Sequence, residues 1–390
     1  MIKGLLHRDH LIVTILAFAF MAFFAVVTVS VSFLNPMAQA YSNYSLSDMY
    51  YQIERYGVKP DTSELITILD MTELYERGDL ANMLFELSEM EPRAVGMDVI
   101  FEGVRDDAAG NRALMDAVQA LGDNVVFTLK LKDYDGEKGQ FTDVTRSFFT
   151  DSIKVKQGYA NLPDNMEARN IRNYTVRQKL NDSTMQSFPY MVAQLIDKDV
   201  KASDKLLRID YGNKVFPVVK ASELQDHQDL IEGRVVMIGT MGEEQDMHLS
   251  PIGKMAGIEI QAYSLQTILE RKDITDAPAW LNYVLAFIIC LLFELSLWAV
   301  DQFCKKHSKN ATVVFMDKSA LMSTIVVTAW LILISWGGYV VFKHSSVYID
   351  TKLLLALTAM VIVARKYFGA FIKTWAANHS NWFIETSLFK

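Results

Sequence analysis

RVVMIGTMGEEQDMHLSPIGKMAGIEIQAYSLQTIL, residues Arg234 to Leu269, is the stretch on which the fold turns. Val235 to Ile238 is a near-continuous apolar run, the pattern of a strand covered on both faces, because only such a strand loses its alternating polar residues. Gly239 and Gly242 break it. The segment that follows gathers Glu243, Glu244, Asp246 and His248 and is expected to turn tightly at Pro251, Gly253 and Gly257. Ile258, Tyr263, Leu265, Ile268 and Leu269 then fall mostly on one side of a helix. Strand, polar loop and helix in that order set a polar cluster at the carboxyl end of a strand, where open α/β sheets place their ligand crevice.

The same alternation recurs upstream. Residues 65–70 (LITILD) read as a strand ending in Asp70, residues 79–90 as a helix with Leu80, Met83, Leu84, Leu87 and Met90 on one side, and residues 94–101 (AVGMDVIF) as a strand carrying Asp98. A helix over 112–121 leads to a third apolar strand, 125–131. Strand and helix alternating through short connections is the pattern of parallel βαβ units. Residues 45–57 suit a short amphipathic helix before them. Downstream, 158–162, 171–180, 206–211 and 215–219 read as strands and 188–197 as a helix, extending the sheet in mixed orientation. The expectation is one α/β domain over 41–275, its sheet mixed but largely parallel, with flanking helices.

Outside that domain, apolar segments at 11–34, 280–300, 321–342 and 350–371 are long enough to span a membrane, the last being interrupted by Arg365 and Lys366. Residues 35–279 carry a net charge of −14 and the remainder +6. The basic residues flank the spans: Lys3 and Arg8 before the first, Lys305, Lys306, Lys309 and Lys318 between the second and third, and Arg365, Lys366 and Lys373 late in the fourth. By the positive-inside rule these sides are cytoplasmic, which puts 1–10 and the tail 372–390 inside and the domain outside. Ala38-Gln39-Ala40 has the form of a signal cleavage site, but the 24-residue apolar run is longer than a signal core of about 7–15 residues, so the first segment is read as an anchor. Both cysteines, Cys290 and Cys304, lie in or beside the second span, so the domain must be held by its core alone. Its acidic face argues against nucleic acid.

PRAVGMDVIFEG (Pro92 to Gly103) and GRVVMIGTMGEEQDMHLSPIGKMAGIEIQAYSLQTIL (Gly233 to Leu269), with one span before the domain and about three after it, resemble the second class of CHASE-type extracellular sensory domain of bacterial membrane receptors. The resemblance implies recognition of an extracytoplasmic signal. Two segments depart from the family pattern. Leu74 to Asp79 stands where a Trp-Pro-rich segment is usual, and Asp164 to Arg172 lacks the usual glycine before paired arginines. The resemblance implies a bacterial inner-membrane protein with this domain in the periplasm, but the family's cytoplasmic output module is not expected in the short tail (372–390) after the last span, so any signal is expected to pass through the membrane helices to a separate protein. The competing reading is a non-sensing structural subunit of an envelope complex, docking through its exported domain.

For a small-molecule ligand the candidate residues are Asp70, Asp98, Glu102, Thr240, Asp246 and His248, which converge if their strands are neighbours. The plainer reading is that carboxylates at strand ends cap helices or accept backbone N–H groups. Asp98, inside an apolar run, is costly to bury unpaired, which makes Arg93 or a backbone cluster a candidate partner and Asp98→Ala more damaging than Asp246→Ala. His248 is one of two histidines in the domain, with His227; it suits a pH-sensing role, since imidazole titrates near neutrality, and the plainer reading is a solvated loop histidine. The turn DYDGEKG (Asp133 to Gly139) lacks the further ligands of a calcium loop. No nucleophile elbow, zinc motif, P-loop or external cysteine nucleophile is present, so no enzyme, cofactor or metal is expected. Within the second span, Glu294 either contacts another helix or a partner subunit, or reaches toward the interface. Ser335, Gly337 and Gly338 offer close helix packing. The aromatic and basic tail suits an interfacial helix or a docking site for a cytoplasmic or membrane partner, and a homo-oligomer is compatible with the sequence.

Overall fold

The computed structural model describes residues 7–30, 45–162, 170–272, 274–376, 379 and 382–389; Ala38-Gln39-Ala40 and residues 164–169 lie outside that set. Contacts group the chain into two units, Asp48–Thr275 and Met1–Ser47 with Asp276–Lys390. In chain order the helices are α1 (Arg8–Ser30), α2 (Leu46–Arg55), α3 (Arg77–Glu89), α4 (Ala108–Ala120), α5 (Phe188–Ile196), α6 (Gly257–Leu269), α7 (Ala279–Lys306), α8 (Ala311–Lys318), α9 (Leu321–Ser345), α10 (Thr351–Ala376) and α11 (Trp382–Glu385).

The sheet of the Asp48–Thr275 unit is built from β1 (Ile66–Asp70), β2 (Ala94–Met97), β3 (Val125–Asp135), β4 (Gln140–Thr145), β5 (Lys156–Tyr159), β6 (Arg177–Leu180), β7 (Ser183–Gln186), β8 (Val218–Lys220) and β9 (Val235–Gly239). Its order is β8-β1-β9-β2-β3-β4-β6-β7, with β5 also pairing β3. The pairs from β8 through β3, and β3 with β5, are parallel; β3–β4 and β6–β7 are antiparallel. This is the mixed, largely parallel sheet that the apolar strands implied. All five residues of β9 are buried, as a central strand requires.

Two layers cover the sheet. Leu80, Leu84 and Leu87 of α3, Leu114 and Ala117 of α4, and Leu224 of the 3₁₀ segment Ala221–Leu230 pack on Leu69, Val95, Met97, Val125, Phe127, Val236 and Ile238. On the opposite face α5 and α6 close against the strands. Gly96 sits under Phe188 and Val192, and a side chain at Gly239 would meet Ile258 Cβ at 2.8 Å. Each such apolar side chain taken out of water contributes about 1.5–3 kcal/mol.

Several boundaries differ from the expectation for physical reasons. β2 stops at Met97 rather than Phe101, because Phe101 leaves the ladder: its N–H is taken by Ser147 Oγ at 3.1 Å and its carbonyl by Phe148 N–H at 3.0 Å, while its ring packs beside Phe149. α4 starts four residues early because Asp107 caps it, Oδ1 accepting the Gly110 N–H at 2.9 Å. The strand expected over 171–180 forms two short pieces, Asn173–Tyr174 and Arg177–Leu180. Between them the carbonyls of Thr175 and Val176 accept from the Tyr159 hydroxyl and the Ser187 N–H, at 2.6 and 2.9 Å. Asp133 to Gly139 holds the β3–β4 turn, with Asp135 Oδ1 accepting the N–H groups of Glu137 and Lys138 at 3.0 and 3.2 Å.

In the second unit, α1, α7, α9 and α10 are long and apolar enough to cross a membrane. Val13 and Ala17 of α1, Cys290, Phe293 and Leu297 of α7, Ile334 of α9 and Leu357, Val361, Ala364 and Phe368 of α10 form its core. α10 runs unbroken through Arg365 and Lys366. A side chain added at Gly337 would meet nothing within 4 Å, whereas its neighbour Gly338 is buried. The tail ends in the short α11 and folds back on the start of α1: Asp9 Oδ2 accepts the Ser387 hydroxyl and the Leu388 N–H, each at 2.7 Å, and Arg8 lies 4.2 Å over the Trp382 ring.

Candidate ligand-binding site

β9 lies between β1 and β2. Its register sets Gly239 level with Asp70 on one side and Ile238 level with Met97 on the other, and the Asp98 N–H continues the ladder to the Ile238 carbonyl at 2.8 Å. From β2 the chain leaves toward α4, on one face of the sheet. From neighbouring β9 it leaves through the 3₁₀ turn Glu244–Asp246 and the hairpin β10 (Met247–Ser250) and β11 (Gly253–Ala256) toward α6, on the other face. Adjacent parallel strands whose connections part to opposite faces open a crevice at their carboxyl ends. Asp98 is the first residue past β2 at that point.

Two lobes of about 520 and 540 Å³ occupy the crevice and share Asp98, Ile100 and Asp246. Volumes of this size suit a small-molecule site. The lobe toward α6 is walled by Thr128, Lys130, Ile171, His248 and Gln261, and the lobe toward α3 by Thr72, Arg77, Glu102, Arg105, Thr240 and Glu243.

Within the first lobe Asp98 is half-buried, and its carboxyl is pushed up to about 7. Burial is the main cause and the charge of Asp246 adds to it; His248 and the nearby Thr128 hydroxyl pull the other way. Asp246 Oδ1 stands 3.6 Å from His248 Nε2. The same carboxylate lies over the start of α6, where a Cβ on Gly257 would come 2.7 Å from Oδ1, a place where the helix dipole favours negative charge. What marks Gly257 is therefore the close approach of the Asp246 side chain rather than the tight turn expected of it. Glu259 Oε2 accepts the Ala256 N–H at 2.9 Å and fixes the helix start. Other polar walls are committed to structure. Asn161 bridges the N–H and carbonyl of Leu131 at 2.8 and 2.9 Å, and Gln261 Nε2 donates to the Ala160 carbonyl at 2.9 Å.

The crevice thus brings together Asp98, Asp246 and His248 in one lobe, and Asp98, Glu102, Thr240 and Asp246 around the other. Asp70 stands apart. Its Oδ1 accepts the N–H groups of Thr72 and Met241 at 3.0 and 3.2 Å and the Thr72 hydroxyl at 2.5 Å, the plain strand-end role. Arg93 is not the partner of Asp98; it precedes β2 at the opposite end, its N–H on the Arg234 carbonyl. Thr128, Lys130, Arg77 and Gln261 were not singled out from sequence. Thr128 carries one signal, a lone hydroxyl in the apolar run VVFTLKL. Arg77 lies in the segment that departs from the family pattern. Buried, and lowered from the usual guanidinium range mainly by that burial, it bonds Asn111 and the carbonyls of Gly103 (2.7 Å) and Glu102 (3.3 Å), which anchors the loop bearing Glu102. No group of three or more His, Cys, Asp or Glu side chains poised to hold a metal ion occurs among the described residues.

In the other unit Glu294 is fully buried. It pairs with Arg365 of α10 and meets His10 Nδ1 of α1 at 3.2 Å, and the second arm of Arg365 reaches Asp301. Its partners are helices of the same chain.

An α/β domain with a polar switch-point crevice, in a chain that also carries four membrane-length helices, defines a class of membrane-associated α/β domain. A family model described as the CHASE2 domain matches residues 20–321, and the chain belongs to that family of extracellular sensory domains. No curated protein and no solved structure matches it.

Proposed function

We propose that this chain is a multi-pass receptor of a bacterial inner membrane, whose periplasmic CHASE2 domain binds a small polar molecule in the crevice around Asp98 and relays its state through the membrane helices to a separate protein. The observation that carries this reading is the crevice itself, since the two carboxylates meet where β2 and β9 send their connections to opposite faces of the sheet. Binding is favoured over catalysis because, among the described residues, no hydroxyl or thiol is hydrogen-bonded to the His248 imidazole. The cluster that Arg365 and His10 form around the buried Glu294, with Asp301 at its exposed rim, supports the relay, because paired charges in a bundle core fix helix register and make displacement a discrete event.

Hydrogen–deuterium exchange on the full-length protein in mild detergent, with and without the low-molecular-mass fraction of the periplasm, tests the first half. Slower exchange is expected over 97–102, 240–248 and 256–261; slowing confined to other parts of the domain would overturn the site. Co-purification from native membranes tests the second half. A signalling enzyme or regulator in the eluate supports the relay, whereas a stoichiometric envelope assembly without one would replace it with a structural subunit.

A further inference from the structure

We infer that the lobe toward α6 takes a ligand bearing a primary ammonium group on a short apolar stem, the positive charge seated between Asp98, Asp246 and the Thr128 hydroxyl. This rests on the reading of the crevice as a ligand site and names the chemistry of what fills it. Among the described residues, neither Asp98 nor Asp246 has a Lys or Arg in ion-pair distance, and the basic group nearest Asp246 is the His248 imidazole at 3.6 Å. Two carboxylates facing one cavity repel each other when both are ionised, and a positive charge between them relieves that repulsion where a proton otherwise would.

Thr128 adds a second observation. Its side chain is 1% exposed and lines the same lobe, and Oγ1, although near enough to Asp98 to lower its carboxyl, meets no partner at full hydrogen-bond distance among the described residues. A buried hydroxyl left in that condition costs free energy unless an occupant completes it. An ammonium has three donors, and here it finds three acceptors on three separate elements: the end of β2, the turn before β10, and β3. Ile100 and Ile171 supply apolar wall for a stem, and Lys130 at the rim suits a ligand whose far end is a carboxylate. A divalent metal is less well served, since no cluster of three ligating side chains is assembled among the described residues.

Calorimetric titration of the full-length protein in detergent at pH 8, with n-butylamine, putrescine and L-leucine, tests the inference. The controls are 1-butanol as the uncharged isostere, butyrate as the anion and calcium chloride as a metal alone. At least one amine is expected to bind about ten- to hundred-fold more tightly than butanol or butyrate, the range of a charge-assisted contact. Preference for leucine over butylamine would assign an amino-acid-like ligand, and preference for putrescine a polyamine. Asp98→Asn and the more exposed Asp246→Asn should each remove about ten-fold of the affinity, with exchange in the unliganded protein confirming that each variant is folded. Equal binding of butanol or butyrate with protection of the crevice, or binding of calcium but of no amine, would overturn the ammonium while leaving the crevice as the site. Amine binding that protects only other regions, or that survives both substitutions, would overturn both.

Discussion

Asp98 follows four buried residues and reaches a cavity wall from which water is partly excluded, with Asp246, His248 and Lys130 facing it in one lobe and Glu102, Glu243, Arg77 and Arg105 around the other. Because its folded value of about 7 lies above that of an unfolded aspartate, the folded chain holds a proton between about pH 4 and 7 that the unfolded chain has released. Its contribution to stability is full below about pH 4 and is lost as pH rises through 7. Asp98→Asn should flatten that slope and raise stability at pH 8 by on the order of 1–2 kcal/mol, discounted for the solvent that reaches the carboxylate. Thermal unfolding of full-length protein at pH 5 and pH 8 measures it; an unchanged pH slope in the variant would refute the assignment. The expectation from sequence ranked truncation of Asp98 as more damaging than truncation of Asp246 because a buried carboxylate needs a specific partner; among the described residues no Lys or Arg lies within ion-pair distance of Asp98, and burial instead raises its carboxyl.

At the scale of elements, two glycines at the ends of β9 and β11 look alike in sequence and do different work. A methyl at Gly239 would press on Ile258 Cβ at 2.8 Å, an atom that moves only with the α6 backbone. Gly239→Ala should therefore push α6 off the sheet and cost about 1–3 kcal/mol. A methyl at Gly257 would meet the far end of the Asp246 side chain, which swings away freely. Gly257→Ala is expected to leave the melting temperature within a few degrees of the parent while weakening ligand binding, because Asp246 is displaced from its seat on α6. Comparing thermal unfolding with ligand titration separates the two; similar destabilisation in both would contradict the packing described. Apolar periodicity marked the strands and helices around these glycines, yet boundaries such as Met97 depended on Ser147 and Phe148, residues about 50 positions away.

For the whole molecule, the two units rest on opposite kinds of cohesion. The domain is held by apolar layers on both faces of its sheet. The bundle adds to its apolar core an ionic cluster in which one Arg365 serves both the buried Glu294 and the more exposed Asp301. Removing the arginine would strand Glu294 without a strong cation, so Arg365→Leu should cost about 3–5 kcal/mol. Arg365→Leu combined with Glu294→Leu should recover a large part of that loss. Detergent half-life followed by size-exclusion chromatography reads both, and a double variant no better than the single would show that the pair does not act as a unit.

Read without coordinates, the chain declares its apolar strands, its βαβ rhythm, its four membrane-length segments and the separation of acidic domain from basic flanks, because hydrophobic period, length and charge are local properties of a polymer in water or lipid. It also places Asp98, Thr240, Asp246 and His248 at strand ends. What no local pattern encodes is that β9, late in the chain, inserts between β1 and β2, for strand order follows from how whole layers bury their faces together. That insertion alone makes Asp98 and Asp246 neighbours. Commitments made across space likewise turn Asp70 to Thr72 and Met241, and Glu294 to a residue 71 positions on. A carboxylate's role is fixed by the donors around it, and those donors come together only when the chain has folded.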